Sequence, residues 1–293
     1  MHKNFIFIKN NNDKFLYYCS FIPLIIYGLY KNGYLIASNH YLSFVDSYKI
    51  ILYPVGSLLI GILFTLIFKE RKAQVIRYAV LMGIAAPYNF NMYLYFLIVL
   101  LFMFVVSFIP NKYKINEVAF LITILIIINC FSKQFSIFNP MEFSKDYSYS
   151  IVDLFFGRGP SYLFTSSIFL ILISYFMMSF IKTYKKDIPL LSSTIFLVLS
   201  FIYMIITKDY HNNLKLLLNG TTFFSFVYLA TINECSPSTK NISYIYSILI
   251  GIVSFILIYL LDIYTGSIIA VFIISVFYRL YEIIRQKVVL KSF

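Results

Sequence analysis

The stretch Leu217–Lys240 places small and oxygen-bearing residues in an otherwise apolar chain. The residues that could do chemistry there are Gly220, Thr221, Thr222, Thr231, Glu234 and Ser236. A helix that breaks at a glycine leaves backbone N–H and C=O groups unpaired, and these groups must face protein, water or a ligand. Hydroxyl and carboxylate oxygens beside such a break can bind an ion or a polar solute. We therefore predict that these six residues line a pathway or a ligand-binding site.

A second stretch, Tyr78–Asn91, has the same character. It contains the sequence MGIAAP, in which Gly83 and Pro87 interrupt an apolar run. Two short segments interrupted by glycine and proline, at matching positions of two halves, are typical of transporter binding sites. Gly83 and Pro87 therefore join the predicted pathway. The alternative is that the small residues only let neighbouring helices pack closely.

The rest of the chain must supply the elements that position these residues. Of its 293 residues, 60% are hydrophobic and 12% are charged, whereas about a quarter of a soluble domain is charged. Apolar runs of about 20 residues, the length that crosses a bilayer, recur from end to end. The predicted fold is therefore all-α, a polytopic membrane protein surrounded by lipid. We predict about ten transmembrane helices, at residues 15–32, 47–68, 74–88, 91–109, 117–132, 162–181, 188–207, 216–231, 242–261 and 266–285.

Basic residues predict the orientation of these helices. The net charge is +12, and in membrane proteins Lys and Arg concentrate in short cytoplasmic loops, so no nucleic-acid partner is predicted. With both termini in the cytoplasm, most of the 24 Lys and Arg residues fall on the cytoplasmic side. The exceptions are Lys31, Lys49, Lys133, Lys145, Arg158, Lys208 and Lys215. We predict a multi-pass protein of the cytoplasmic membrane with both termini inside.

Ten helices divide into two sets of five. Because five is odd, a second copy of a five-helix unit enters the membrane from the opposite face, which is the arrangement of inverted repeats. The predicted units are residues 1–135 and 162–293. An extracytoplasmic loop, residues 136–161, connects them.

The cysteines and histidines predict no metal site. Cys19, Cys130 and Cys235 have no paired spacing, and the three histidines are scattered along the chain. Cysteines of this kind are typical of packing residues in apolar surroundings.

The charged residues inside or beside the predicted helices leave alternatives open. Asp46 and Lys49, three residues apart, either pair on one helix face or anchor the helix at the membrane interface. Asp153 and Arg158 either line an extracytoplasmic vestibule or pair in a solvated loop. Glu234 either contacts a permeating ion or lies in a solvated cytoplasmic loop.

The chain resembles the RnfD/NqrB family, the membrane subunits of ion-translocating electron-transport complexes. That family carries a segment close to LLSGGTMFGAFFMATDPVTSPVT, whose counterpart here begins at Leu217. The matching residues are Leu217, Leu218, Gly220, Thr222, Phe224, Ala230, Thr231, Ser236, Pro237 and Thr239. Gly157, Pro160 and Ser167 match a second family segment. The resemblance implies ten helices in two inverted five-helix repeats with broken helices, an architecture related to urea-transporter-like channels.

The chain departs from that family where the family attaches its cofactor. Members in the redox pumps bind FMN through a threonine in a short S-G-A-T motif between the fifth and sixth helices. No Gly-Ala-Thr occurs in this sequence, and residues 131–159 contain no threonine. Two family acids are also missing, since Ile232 and Thr165 stand in their places. We therefore expect no covalent FMN and at most a non-covalent flavin, FMN or riboflavin.

Three functions remain open on the sequence. The first is a membrane subunit of an ion-translocating electron-transport complex, or a derivative of one, with other membrane subunits as partners. The second is a stand-alone transporter or channel for a small solute such as a flavin. The third is a structural membrane subunit without a pathway. No catalytic residue is predicted in any of them.

Overall fold

The computed structural model describes residues 11–39, 42–67, 72–87, 90–108, 115–132, 150–159 and 161–291. Its α-helices are α1 (Asn11–Cys19), α2 (Ile22–Leu29), α3 (Leu35–Ser38), α4 (Phe44–Tyr48), α5 (Leu52–Ile67), α6 (Lys72–Ile84), α7 (Met92–Phe108), α8 (Glu117–Ser132), α9 (Ile151–Phe156), α10 (Ile168–Ser179), α11 (Asp187–Thr207), α12 (Tyr210–Leu217), α13 (Gly220–Phe224), α14 (Lys240–Phe255) and α15 (Gly266–Lys291). Three π-helical turns, π1 (Tyr30–Tyr34), π2 (Ser225–Leu229) and π3 (Ile256–Leu260), continue α2, α13 and α14. A 3₁₀ turn at Lys49–Ile51 joins α4 to α5.

The helices have the length and polarity of membrane spans. Within the described ranges, four are long and apolar enough to cross a bilayer: Phe44–Ile67, Asp187–Thr207, Lys240–Leu260 and Gly266–Gln286. Shorter apolar helices accompany them at Gln74–Ile84, Met92–Val105, Glu117–Ile128 and Ile168–Ser179. The protein is an all-helical polytopic membrane protein, as its composition predicts.

Three predicted helices have different boundaries in the structure. The sixth, predicted at 162–181, is helical only from Ile168, because the Ser167 hydroxyl accepts the Leu170 N–H at 3.3 Å and caps the helix there. The eighth, predicted at 216–231, begins at Gly220 behind the cap Asn219. The third, predicted to reach residue 88, ends at Ile84.

The first predicted helix, at 15–32, is longer and interrupted. It runs from α1 to the end of α3 at Ser38. Pro23 lies in the first turn of α2, which is where a proline fits without losing a helical hydrogen bond. π1 then adds a wide turn in which Lys31, Asn32 and Gly33 are buried.

Two short helices were not predicted. α9 lies at the end of the predicted loop 136–161, most of which falls outside the described residues. Its first turn is a capping box, in which Ser150 and Asp153 satisfy each other's backbone N–H groups. α12 begins at Tyr210 behind Asp209, whose carboxylate accepts the Asn212 N–H at 3.3 Å. Both helices are short, and neither has the apolar length of a membrane span.

Charged residues at the helix ends pair locally. Asp46 and Lys49 form an ion pair at 2.5 Å, one of the two alternatives for these residues, and Asp153 pairs with Arg158 at 2.8 Å. The bond from Ser150 is the main reason why the pKa of the Asp153 carboxyl lies below its usual value. Asp262 has φ +54° in the turn before α15, a left-handed conformation that Asp tolerates better than most residues.

Small residues allow several helices to approach closely. A Cβ on Gly61 of α5 would lie 2.6 Å from the Ala79 Cβ on α6. A Cβ on Gly251 of α14 would lie 2.9 Å from the Ser192 carbonyl oxygen on α11. Because lipid gives helices no hydrophobic reason to associate, such close packing is a main source of their cohesion.

The same pattern of helix pairs occurs in both predicted halves. In the first, α5 packs on α6 and α7, and α8 packs on α6 and α7. In the second, α11 packs on π2 and α14, and α15 packs on π2 and α14. The halves meet where α8 packs on α15 and where α10 packs on α1 and α2.

Candidate functional site

An irregular buried strip connects the two interrupted helices. We call residues 161–167 the crossover segment. Its backbone N–H groups at Leu163 and Phe164 donate to the carbonyls of Ala86 (3.2 Å) and Ile84 (3.3 Å). These carbonyls belong to the end of α6, where the helix stops and its last oxygens lose their intrahelical partners. The second half of the chain therefore satisfies the break in the first half.

The other break, at the start of α13, faces the same strip. The Asn219 side chain accepts the Thr221 N–H at 2.9 Å, and its amide donates to the Tyr264 carbonyl at 3.1 Å. The Thr221 hydroxyl accepts the Tyr162 N–H at 3.3 Å and shares a 2.9 Å hydrogen bond with the Thr165 hydroxyl. Thr165 stands where the resemblance places a family acid, so a hydroxyl pair takes the place of a carboxylate contact here.

Two of the predicted glycines lie against backbone. A Cβ on Gly220 would lie 2.2 Å from the carbonyl oxygens of both Thr165 and Ser166. A Cβ on Gly83 would lie 2.4 Å from the Pro54 Cα. Neither neighbour is a side chain that can swing aside, so both positions require glycine for close approach. Pro87 lies buried just beyond the end of α6.

Two hydroxyls at the α13 break have no hydrogen-bond partner within the described part of the chain. They are Thr222 Oγ1 and Ser166 Oγ, and Thr222 has no exposed surface. The carbonyl of Ser166 touches Gly220, two residues before Thr222. Since a buried hydroxyl without a partner costs about 1–3 kcal/mol, this break is a place where water or a polar solute would be stabilised.

Lys31 and Asn32 of π1 also reach the crossover region, which sequence analysis did not foresee. The Lys31 ammonium donates to the Gly159 carbonyl at 2.5 Å and to the Ser161 hydroxyl at 3.3 Å. The Asn32 amide donates to the Leu163 carbonyl. Lys31 is only 4% exposed, although it counted among the residues predicted on the extracytoplasmic side. The sequence feature that could have indicated a buried polar contact was a lysine inside the long apolar run 15–38.

The remaining predicted site residues lie beyond the far end of π2. Thr231 donates its hydroxyl to the Val227 carbonyl of its own helix at 2.7 Å. Glu234 Oε1 accepts from the Arg77 guanidinium at 2.7 Å. Ser236 accepts from Lys185 through its carbonyl (2.8 Å) and its hydroxyl (2.7 Å). The eight predicted residues thus form two groups, one at the helix breaks and one at the opposite end of α13–π2.

Burial affects the protonation of Lys185, the residue that donates to Ser236. Desolvation lowers the pKa of the Lys185 ammonium to about 8, and the nearby Glu234 carboxylate opposes part of that shift. Its neighbour Tyr184 donates its hydroxyl to the Val227 carbonyl at 3.0 Å, and burial raises the pKa of that phenol. A lysine in this state can exchange a proton near neutral pH.

The described residues do not suit a metal or a covalently bound FMN. Among them, no three His, Cys, Asp or Glu side chains lie close enough together to hold a metal ion. Residues 131–159 contain no threonine to carry a phosphoester link. The contact of Gly220 with the Thr165 and Ser166 carbonyls leaves no room for a flavin ring between α13 and the crossover segment. A non-covalent flavin would therefore need another surface.

Comparison with known proteins identifies the family of this chain. The model of the NQR2, RnfD, RnfE family matches residues 17–291, almost the whole chain. The chain belongs to this family. Family membership confirms the predicted RnfD/NqrB resemblance. No curated protein matches the chain.

Proposed function

We propose that this NQR2, RnfD, RnfE family member is a membrane subunit of an ion-translocating electron-transport complex, or a derivative of one, with its own pathway at the α13 break. Family membership supports a place in such a complex. The observation that carries the pathway is the pair of buried hydroxyls of Thr222 and Ser166. Interrupted helices inside a membrane protein are tolerated where they line a cavity or contact other protein.

The proposal includes the inverted architecture. Residues 1–135 and 162–293 would be two related five-helix units that enter the membrane from opposite faces. They would meet around the crossover segment. The recurrence of the same helix pairs in both halves supports two related units. Both termini would lie in the cytoplasm, since the basic residues favour that orientation.

Partners and ligand follow from the same proposal. The partners would be other membrane subunits, and the cofactor, if one binds this chain, would be a non-covalent flavin. Affinity purification of the tagged full chain from its native membrane, in mild detergent, tests the partners. Stoichiometric recovery of further redox subunits supports the proposal. A chain that purifies alone and transports a flavin or another small solute in vesicles would replace it with the stand-alone transporter.

The pathway itself is tested by removing one hydroxyl. Thr222→Val keeps the side-chain volume and deletes the Oγ1 atom. We expect ion flux through the purified complex, or through the chain alone if it purifies alone, to fall by about tenfold, the effect of a 1.4 kcal/mol change. The matched control is Thr194→Val on the exposed face of α11. Equal flux in both variants would contradict the pathway.

A further inference from the structure

The end of α13–π2 opposite the break is held by side chains. Arg77 of α6 and Glu234, 157 residues apart, form an ion pair at 2.7 Å with side chains only 12% and 13% exposed. The Arg77 guanidinium carbon also lies 5.9 Å from the centre of the Tyr17 ring of α1, which suits a cation–π contact. One charged pair therefore ties the segment beyond π2 to α6 and α1.

Two further contacts hold the same segment. Lys185, in the connection between α10 and α11, donates to Ser236. The Asn116 amide, just before α8, donates to the Leu229 carbonyl at 2.8 Å. In each contact, a side-chain N–H group donates to a backbone or side-chain oxygen. Water can replace such a donor if the segment moves.

The two ends of α13–π2 differ in how they are fixed. At the break, Gly220 packs directly on backbone carbonyls, and backbone hydrogen bonds close the facing end of α6. At the other end, Glu234 uses one carboxylate oxygen, and its Oε2 atom has no partner among the residues that the structure describes. The pair is therefore not saturated, and the segment from Thr231 to Ser236 is tied to elements other than π2 through side-chain hydrogen bonds.

The ion pair has only two favourable states, one docked and one separated in water. Removing Glu234 from Arg77 while both stay buried would leave an uncompensated charge, which is strongly unfavourable. Moving the segment outward instead would hydrate both charges. The pair consequently favours either a docked segment or a segment moved into water, as a two-state element does.

We propose that the Arg77–Glu234 pair is a latch that closes the pathway at the end opposite the α13 break and separates when that end opens. The proposal rests on the proposed pathway for its purpose. The latch itself is a conformational property of the chain, so it has a test that needs no transport.

The test measures access to Thr231, which is buried three residues before Glu234. Thr231→Cys, in a chain whose three native cysteines are replaced, is labelled in membranes with a charged, membrane-impermeant thiol reagent. In that background we expect Glu234→Gln to raise the labelling rate by about tenfold, since it removes the charge attraction and keeps the shape. Asp153→Asn is the control, because it breaks the exposed Asp153–Arg158 pair elsewhere in the molecule.

A charge exchange keeps the test decisive if Glu234→Gln folds poorly. Arg77→Glu alone should open the latch, and Arg77→Glu combined with Glu234→Arg should return labelling towards the parent rate. An unchanged labelling rate in a folded Glu234→Gln or Arg77→Glu chain overturns the latch. If labelling changes as expected but Thr222→Val leaves flux intact, the latch stands and the proposed pathway falls.

Discussion

At the residue scale, neutral side chains stand at the two positions where the family resemblance implies acids. Thr165 shares a buried hydrogen bond with Thr221 at the α13 break, and Ile232, beyond π2, has no polar side-chain atom. The break therefore has polar oxygens without a negative charge from Thr165. Weak, neutral oxygen ligands suit the passage of a solute that must also leave.

Lys185 carries the clearest pH prediction. Its pKa in the folded protein is about 8, whereas an unfolded lysine titrates near about 10.4. Between these values the unfolded chain holds more protons, so stability rises with pH across that window, by at most about 3 kcal/mol. Below pH 8, Lys185 is protonated in both the folded and the unfolded chain. Its burial then lowers stability by an amount that does not change with pH.

Thermal unfolding of the purified chain between pH 7 and 10 checks this. The parent should gain stability above pH 8 relative to Lys185→Met, which has no amine to titrate. The adjacent, exposed Lys186 provides the matched variant Lys186→Met, which should follow the parent. Parallel pH profiles for the parent and Lys185→Met would show that Lys185 does not titrate in this range.

At the element scale, close backbone contacts hold the helix breaks in place. Gly220 lies on the crossover segment and Gly83 on Pro54, so each broken helix is seated against main chain. Gly33, in contrast, has only the Tyr48 ring near its Cβ position, at 3.2 Å. An aromatic ring can shift by a few tenths of an ångström, whereas a peptide group in a packed strip cannot.

The three glycines therefore predict different costs for the same substitution. We expect Gly220→Ala and Gly83→Ala each to lower the free energy of unfolding by about 1–3 kcal/mol, through overpacking. Gly33→Ala should change it by less than about 1 kcal/mol. Unfolding in detergent, followed by circular dichroism, compares the three. A Gly220→Ala chain as stable as Gly33→Ala would mean that the crossover segment yields easily.

At the scale of the whole molecule, the chain belongs to the family but lacks the S-G-A-T motif through which the resemblance implies FMN attachment. The family match covers residues 17–291, while the sequence lacks Gly-Ala-Thr throughout. Because residues 131–159 contain no threonine, this chain cannot hold a flavin through a threonine in that part of the connecting loop.

Denaturing electrophoresis tests whether the chain carries a covalent flavin. The purified chain should show no flavin fluorescence in the gel, because only a covalent flavin stays with the denatured band. A member that carries the S-G-A-T motif serves as the positive control. A fluorescent band from this chain would mean that FMN is attached at another side chain.

Much of the fold follows from local sequence. Apolar runs determine the all-helical membrane class, and most predicted spans coincide with helices of the structure because burial of about 20 apolar residues in lipid is a local property. The breaks near Pro87 and at Gly220 were recognisable because small residues interrupt an apolar run there, although glycine alone does not end a helix, since Gly61 and Gly251 lie inside helices that continue. The start at Ile168 was harder to predict, because a capping serine within an apolar run has little local signal.

Tertiary structure alone decided the contacts that make the site. Taken singly, Arg77 looks like a charge in the first turn of the third predicted helix, Glu234 has two open interpretations, and Lys31 looks like a residue at a helix end. Their burial depends on segments more than 100 residues away, which no local period encodes. The sequence by itself determined that the chain must cross a membrane and that its apolar runs are interrupted near Pro87 and Gly220. The packing of the chain decided which buried polar groups meet, because the carbonyls at the end of α6 accept from Leu163 and Phe164 of the other half, and the α13 break is closed by the crossover segment of its own half.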